Sequence, residues 1–273
     1  MVRALQAAID KTIEEKQGAG FRMHLGASII GRDCARQIWY TFRWAKRARF
    51  RARLLRLFDR GNREETRIIK WLRDAGVHVL DIDPNTGKQL RIEDHEGHFG
   101  GSLDSLLFDT PEYPFQWVLG EYKTHNDANF KEVKKHGVRK SHLPHFVQMQ
   151  IYMGYTGVKI AFYFAVNKND DEMYIELIEY DEDVAKQYSE RALHIIQAQE
   201  PPGRISESPA WYRCRMCDYQ MICHHGDRKD KNCRTCKFSK PISDGKWLCL
   251  AYNYELSEME QKQGCSSHQE IPE

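Results

Sequence analysis

A chain of 273 residues, 41% hydrophobic, 29% charged and 11% aromatic, can bury one sizeable core with a small appendage, which excludes a protein disordered along its length. No apolar run approaches the ~20 residues that span a bilayer, and the opening MVRALQAAIDKTIEEK reads as a charged helix rather than a signal peptide. A cytoplasmic address without a membrane partner is expected. The net charge of +2 does not announce a nucleic acid, but its distribution does: between Arg43 and Arg60 seven Arg and one Lys face a single Asp, and a second basic stretch runs from Lys131 to Lys140.

In chain order, residues 3–17 alternate apolar and charged positions at helical spacing until Gly18 and Gly20. A second helix is expected to hold Cys34, Arg36, Trp39, Tyr40 and Trp44, and a third runs from about Arg51 to Ala75, with Gly76 as its stop. The texture then turns to β. VHVLDID, KQLRIED, HFGGSLDSLLF and FQWVLGEYKT predict a four-strand meander separated by Pro, Asn, Gly and Asp turns. Helices over roughly 127–138 and 143–156 follow, then strands KIAFYFAVNK and EMYIELIEY, and a long helix from about Asp183 to Gln199. From Pro209 onward cysteines and charged loops replace apolar periodicity. The reading is an α/β chain with a main domain over 1–228 and a cysteine-rich module over 229–273.

The strongest chemical signal is Gly101-Ser-Leu-Asp104 followed by Glu121-Tyr-Lys123. Residues two apart on a strand share a face, so Glu121 and Lys123 emerge together with Tyr122 turned away. A return through the turn at Pro111–Pro114 can bring Asp104 beside them. Two facing carboxylates repel unless a hard cation such as Mg²⁺ or Mn²⁺ neutralises them, and such an ion with Lys123 suits phosphodiester hydrolysis. An isolated Glu-x-Lys is weak, because most are solvent-facing charges; the company it keeps here gives it meaning.

Eight cysteines without a secretory signal point to metal rather than disulfides. Cys214-x-x-Cys217-x5-Cys223 supplies three thiols, and the remote Cys34 is the natural fourth; spacing alone leaves Zn²⁺ and a [4Fe-4S] cluster both open. Cys233-x-x-Cys236, Cys249 and Cys265 form a second set that reads as a zinc-ribbon-like module, with KWLCL as a hairpin between two knuckles. His268 is an alternative fourth ligand.

GSLD, EYK and Gln148-x-x-x-Tyr152 resemble the Gly-x-x-Asp, Glu-x-Lys and Gln-x-x-x-Tyr motifs of the PD-(D/E)XK nuclease superfamily, in its RecB-like branch. Cys34 with Cys214, Cys217 and Cys223 resembles the iron-sulfur members of that branch, among them CRISPR-adaptation and AddB-like nucleases, and the segment from Lys123 to Met153 resembles phage-encoded members. The resemblance, over about residues 25–225, implies a restriction-endonuclease-like core, a mixed central sheet flanked by helices. It implies that Asp104 and Glu121 bind the catalytic metal with the Tyr122 carbonyl, that Lys123 assists the water, that Gln148 and Tyr152 contact DNA or support the site, and that the first cysteine set holds an iron-sulfur cluster. Relatives carry a Gly-His or a helical Glu upstream; here RGNREE places Asn62 where a His is expected, leaving Glu65, or less favourably Glu64, as a ligand.

The leading expectation is therefore an Mg²⁺- or Mn²⁺-dependent deoxyribonuclease, an exonuclease or end- and flap-processing enzyme on single-stranded DNA or duplex ends, in replication, recombination or phage DNA metabolism. The Arg43–Arg60 run would meet phosphates, while Trp39, Tyr40, Phe42 and Trp44 are either base-stacking or, by the stronger reading, core. The competing readings are a non-catalytic DNA-binding accessory subunit, and an iron-sulfur redox sensor on a nuclease fold.

Overall fold

The computed structural model describes residues 2–18 and 20–272. The chain divides into two compact units of interleaved segments. The first takes Met1–Gly20, Arg49–Ile92 and Gly101–Lys186; the second takes Phe21–Ala48, Glu93–Gly100 and Gln187–Glu273.

The first unit is built on a five-stranded sheet whose spatial order follows the chain: β1 (His78–Leu80), β2 (Ser105–Phe108), β3 (Trp117–His125), β4 (Ile160–Asn167) and β5 (Met173–Glu179). All neighbours are antiparallel except β3 and β4, which run parallel with Glu121 opposite Tyr163 and Tyr122 opposite Phe164. Parallel neighbours need a crossover, and the helices Asp127–His136 and Leu143–Thr156 supply it. Mixed pairing with helical cover is the sheet expected of the resemblance.

Strand alternation gives the sheet two different faces. On one, Leu107, Val118, Tyr122, Phe162, Phe164 and Val166 pack with Ile68 and Ile69 of the helix Ala52–Asp74, forming the core. On the other lie Glu121, Lys123 and Tyr163. The helix Leu143–Thr156, buried almost from end to end, packs on β3 and β4.

The predicted meander needs correction. HFGGSLDSLLF is two strands, Phe99–Ser102 and β2, and the first of them belongs with Leu25–Gly26 and Arg91–Asp94 in a separate three-stranded sheet. The chain breaks at Leu103, whose N–H turns to the Leu90 carbonyl at 2.9 Å. Asp104 thus sits at the mouth of β2 rather than within a longer strand.

In the second unit the helix Ala35–Phe42 starts one residue later than expected, with Cys34 as its N-cap. Trp39, Tyr40, Phe42 and Trp44 are all buried, which settles them as core. Arg43 is buried as well, so it is removed from the run assigned to phosphates. KWLCL is not a hairpin but the central strand, Trp247–Cys249, of an antiparallel sheet flanked by Ser239–Pro241 and Tyr254–Leu256. Among the described residues no helix is long and apolar enough to cross a membrane.

Candidate active site

Ser105 pairs with Gly120, so the residue before β2 falls beside Glu121. Asp104 Oδ2 accepts the Tyr122 N–H at 2.8 Å and lies 3.6 Å from Lys123 Nζ, while Lys123 Nζ is in direct ion-pair contact with Glu121 Oε1. The three side chains read from sequence are therefore one cluster. Tyr122 points away, its hydroxyl 2.5 Å from Ser105 Oγ and its ring against Phe164.

Glu121 is fully buried; its Oε1 pairs with Lys123, and its Oε2 has no hydrogen-bond partner. Burial first, and then the Asp104 charge, pushes its pKa up to about 8 against the pull of Lys123. Burial alone would lower Lys123, but Asp104 and Glu121 hold it above the usual lysine range. Glu65, half-buried on the helix Ala52–Asp74, is pushed up to about 7 by burial and then by Asp104, and its Oε1 receives Gln89 Nε2 at 3.3 Å. Glu64 turns elsewhere, toward Arg67 at 3.4 Å, and Asn62 is exposed. Of the upstream candidates only Glu65 shares the electrostatic field of Asp104.

Gln148 and Tyr152, one turn apart on their helix, are both buried and joined by a 3.3 Å bond from Nε2 to the hydroxyl. Burial, then Glu121 and Asp104, raises the Tyr152 hydroxyl, which puts this pair beside the acidic cluster. The space a Cβ would need at Gly101 is filled by the Tyr152 hydroxyl. The glycine of Gly-Ser-Leu-Asp is thus a steric requirement of the site.

Sequence reasoning gave no role to Tyr163, His125 and His145. Tyr163, opposite Glu121, is fully buried, with His125 Nε2 at 2.8 Å and His145 Nδ1 at 2.9 Å from its hydroxyl. The signal was available: a tyrosine on the polar face of an otherwise apolar strand needs a partner for its hydroxyl.

One ammonium faces three carboxylates, an excess of negative charge that a divalent cation would neutralise. The unpartnered Oε2 of buried Glu121 and the hard-oxygen donor set fit Mg²⁺ or Mn²⁺. Among the described residues no three His, Cys, Asp or Glu side chains form a ready metal-holding group, and here Lys123 stands against both Glu121 and Asp104.

The sequence matches the model of the PD-(D/E)XK nuclease superfamily over residues 3–224. The chain belongs to this superfamily. No curated protein matches it. Among solved structures it is similar to the alkaline exonuclease LHK-Exo from Laribacter hongkongensis, at 18% identity over 63% of this chain and 86% of that one with a TM-score of 0.45. The same exonuclease in complex with dAMP gives 18% identity, the same coverage and a TM-score of 0.47. SSO0001 gives 13% identity over 81% of this chain and 96% of that one, with a TM-score of 0.49. In this superfamily member, Asp104, Glu121 and Lys123 are the residues that resemble its Asp and Glu-x-Lys pattern.

All eight cysteines are free thiols in the second unit, and among the described residues no three of them form a ready metal-holding group. Cys34 Sγ accepts the Gln37 N–H at 3.4 Å, and Arg36 Nη1 lies 4.0 Å from Cys223 Sγ. Burial raises the thiols of Cys214 and Cys217, and each also feels Cys34 and Cys223. Cys233, Cys236, Cys249 and Cys265 line one small cavity together with His268. The Cys233 thiol is pushed up to about 11 by burial and by its three cysteine neighbours. His268 Nε2 is 3.2 Å from Thr235 Oγ1.

Proposed function

We propose that this superfamily member is a divalent-metal-dependent deoxyribonuclease acting as an exonuclease or end-processing enzyme. The observation that carries the reading is a fully buried Glu121 whose Oε1 has Lys123 as its partner and whose Oε2 has none, set beside Asp104. Such a charge costs stability unless it serves something. Glu65, Asp104, Glu121 and the Tyr122 carbonyl would hold Mg²⁺ or Mn²⁺. A bound divalent ion supplies Lewis-acid polarisation of the scissile phosphate and a water of lowered pKa.

The chain's own residues do the rest. Lys123, held protonated by its two carboxylates, orients the attacking water and faces the negative charge that develops on the phosphate. Tyr152, wedged over Gly101 and tied to Gln148, offers a hydroxyl at the edge of the cluster to a phosphate or sugar oxygen.

The cysteines extend the proposal. Cys34, Cys214, Cys217 and Cys223 would hold a [4Fe-4S] cluster, as in the RecB-like branch, and the N–H groups of Gln37 and Arg36 directed at sulfur suit thiolates. Cys233, Cys236, Cys249 and Cys265 would hold Zn²⁺ in a structural module over 229–273, with the main domain over 1–228. His268 is the weaker ligand because Thr235 already engages its ring. Both centres are structural by this reading, in a cytoplasmic enzyme working on DNA alongside replication or recombination proteins of a bacterial or phage-infected cell.

The test is cleavage of end-labelled linear and circular DNA in Mg²⁺ or Mn²⁺ by anaerobically purified protein, with Asp104→Ala and Lys123→Ala beside it. The parent should degrade linear DNA from its ends, and each variant should fold normally and lose activity by about 10²-fold or more. Variants as active as the parent would remove the site assignment; DNA bound but never cut would favour an accessory subunit.

A further inference from the structure

The helix Ala52–Asp74 does more than carry Glu65. Positions 53, 56, 60, 63 and 67 alternate three and four residues apart, so they form one stripe, and all five are arginine. A second line, Leu54, Phe58, Gly61 and Glu65, runs at the same spacing along the face that buries Ile68, Ile69 and Leu72 further on. In the N-terminal half that face is uncovered: Leu54 is 38% exposed and Phe58 46%. Nothing lies within 4 Å of where a Gly61 Cβ would be.

Exposed aromatic side chains are usually mobile, but here they are held. Gln17 receives the Phe50 N–H at 2.9 Å and donates to its carbonyl at 3.2 Å, and the Phe50 and Phe58 rings meet edge to face at 5.2 Å. The cations beside them are short of anions. Arg49, Arg51, Arg53 and Arg60 have no acidic partner among the described residues, and Arg60 donates instead to the Lys168 carbonyl at 2.6 Å. Burial and the Arg60 charge lower the Lys168 pKa, so two cations stand together near the end of β4.

We propose that Phe50 and Phe58, flanked by Arg53, Arg60 and Lys168, form a stacking platform that grips a single-stranded segment of the substrate and leads it to Glu65. Phe58 and Glu65 are seven residues apart on one face, about 10 Å along the axis, which is room for two or three nucleotides. The rings take base faces, the guanidinium groups and Lys168 take phosphates, and the side-chain-free gap at Gly61 lets a nucleotide lie against the helix. Charge complementarity selects the occupant: an apolar strip bordered by unpaired arginines suits a polyanion with flat apolar bases better than a neutral protein surface. The assignment rests on the DNA-nuclease reading of the site.

The experiment measures binding of a short fluorescein-labelled oligothymidylate and of a blunt hairpin duplex by anisotropy, with Ca²⁺ in place of Mg²⁺. Phe58→Ala should weaken oligothymidylate binding roughly tenfold and blunt-duplex binding far less, because stacking needs unpaired bases. Phe58→Trp should keep the affinity and add emission that the oligothymidylate quenches. Arg53→Gln with Arg60→Gln should reduce the dependence of log affinity on log salt by about one to two. Phe58→Ala binding as tightly as the parent, or losing both substrates equally, would overturn the platform. So would a parent dimer that Phe58→Ala dissociates, since the patch would then belong to a second copy. A parent that cuts DNA while Phe58→Ala is indifferent sinks the platform alone; a parent that neither binds nor cuts DNA sinks the nuclease reading too.

Discussion

Both units bury charge, and they treat it in opposite ways. In the second, Arg43 and Arg234 are fully buried without a carboxylate, yet every guanidinium nitrogen but Arg43 Nε has a partner. Arg43 donates to the carbonyls of Arg234, Ser239 and Ala198, and Arg234 to those of Phe42 and Met23 and to Gln261. The Trp247 ring faces both cations at 5.2 and 4.6 Å, and Trp44 lies 3.7 Å from Arg234. Such charges are cross-links, satisfied by carbonyls and aromatic faces. In the first unit Glu121 is just as buried, but Lys123 meets only its Oε1 and its Oε2 is left over. On the proposed reading, the buried arginines hold a fold together, and the under-partnered carboxylate is where a cation would bind.

The comparison breaks most visibly if the thiols of the second unit prove dispensable. Its strands after residue 228 are three residues long and Cys233, Cys236, Cys249 and Cys265 line a cavity, so on the proposed reading a bound metal would carry much of the module's stability. The first unit has an apolar core of its own. Iron and zinc chelation should therefore expose residues 187–273 to limited proteolysis while β1–β5 stay protected. A structural zinc site contributes on the order of 10 kcal/mol, enough to unfold the module outright when removed. Equal protection of both regions in chelator, with neither metal in the purified protein, would reduce the cysteines to ordinary buried thiols.

The sharper test of the first unit is steric. Gly101→Ala should lower kcat by about 10²-fold and lower the thermal midpoint as well, because the new methyl pushes on the buried Tyr152 side chain. Adding Tyr152→Phe removes the clashing oxygen and should restore packing without full activity. A Gly101→Ala enzyme with parental kcat would show that Tyr152 has no part in the site.

Sequence made this site legible because its pieces are local: Glu121 and Lys123 share a strand face by period alone, and Gln148 and Tyr152 share a helix face. Tyr122 turned away as strand alternation requires. The break at Leu103 was hidden, because a single backbone bond to Leu90 redirects the strand and no composition signal marks it. The preference for Glu65 over Glu64 has no physical reason in the sequence, since neighbours on a helix differ by about 100° of rotation and only packing decides which faces the Asp104 charge. The arginines of residues 43–60 read as one basic run. Arg43 left that run because its partners, Arg234 and Ser239, lie almost two hundred residues away.

The histidines behind Lys123 give the smallest effect and refine the contrast further. The His125 pKa is lowered to about 4 by burial, then by His142, Lys168 and Lys123, and burial also pulls down His145 and His142. A histidine depressed in the folded state binds its proton more readily when unfolded, so its share of stability is complete above pH ~6.5 and is lost as pH falls toward the folded value. Between pH ~6.5 and ~4, each such group adds a slope of up to about 1.4 kcal/mol per pH unit. His125→Gln should flatten denaturant-midpoint loss over that window by one proton's worth, while the parent and variant coincide above pH 7. Tyr163 would keep a hydrogen-bonding neighbour in His145. A variant with the parental slope would mean that His125 takes up no extra proton on unfolding over that window, which would overturn the neutral state assigned to the ring that meets Tyr163.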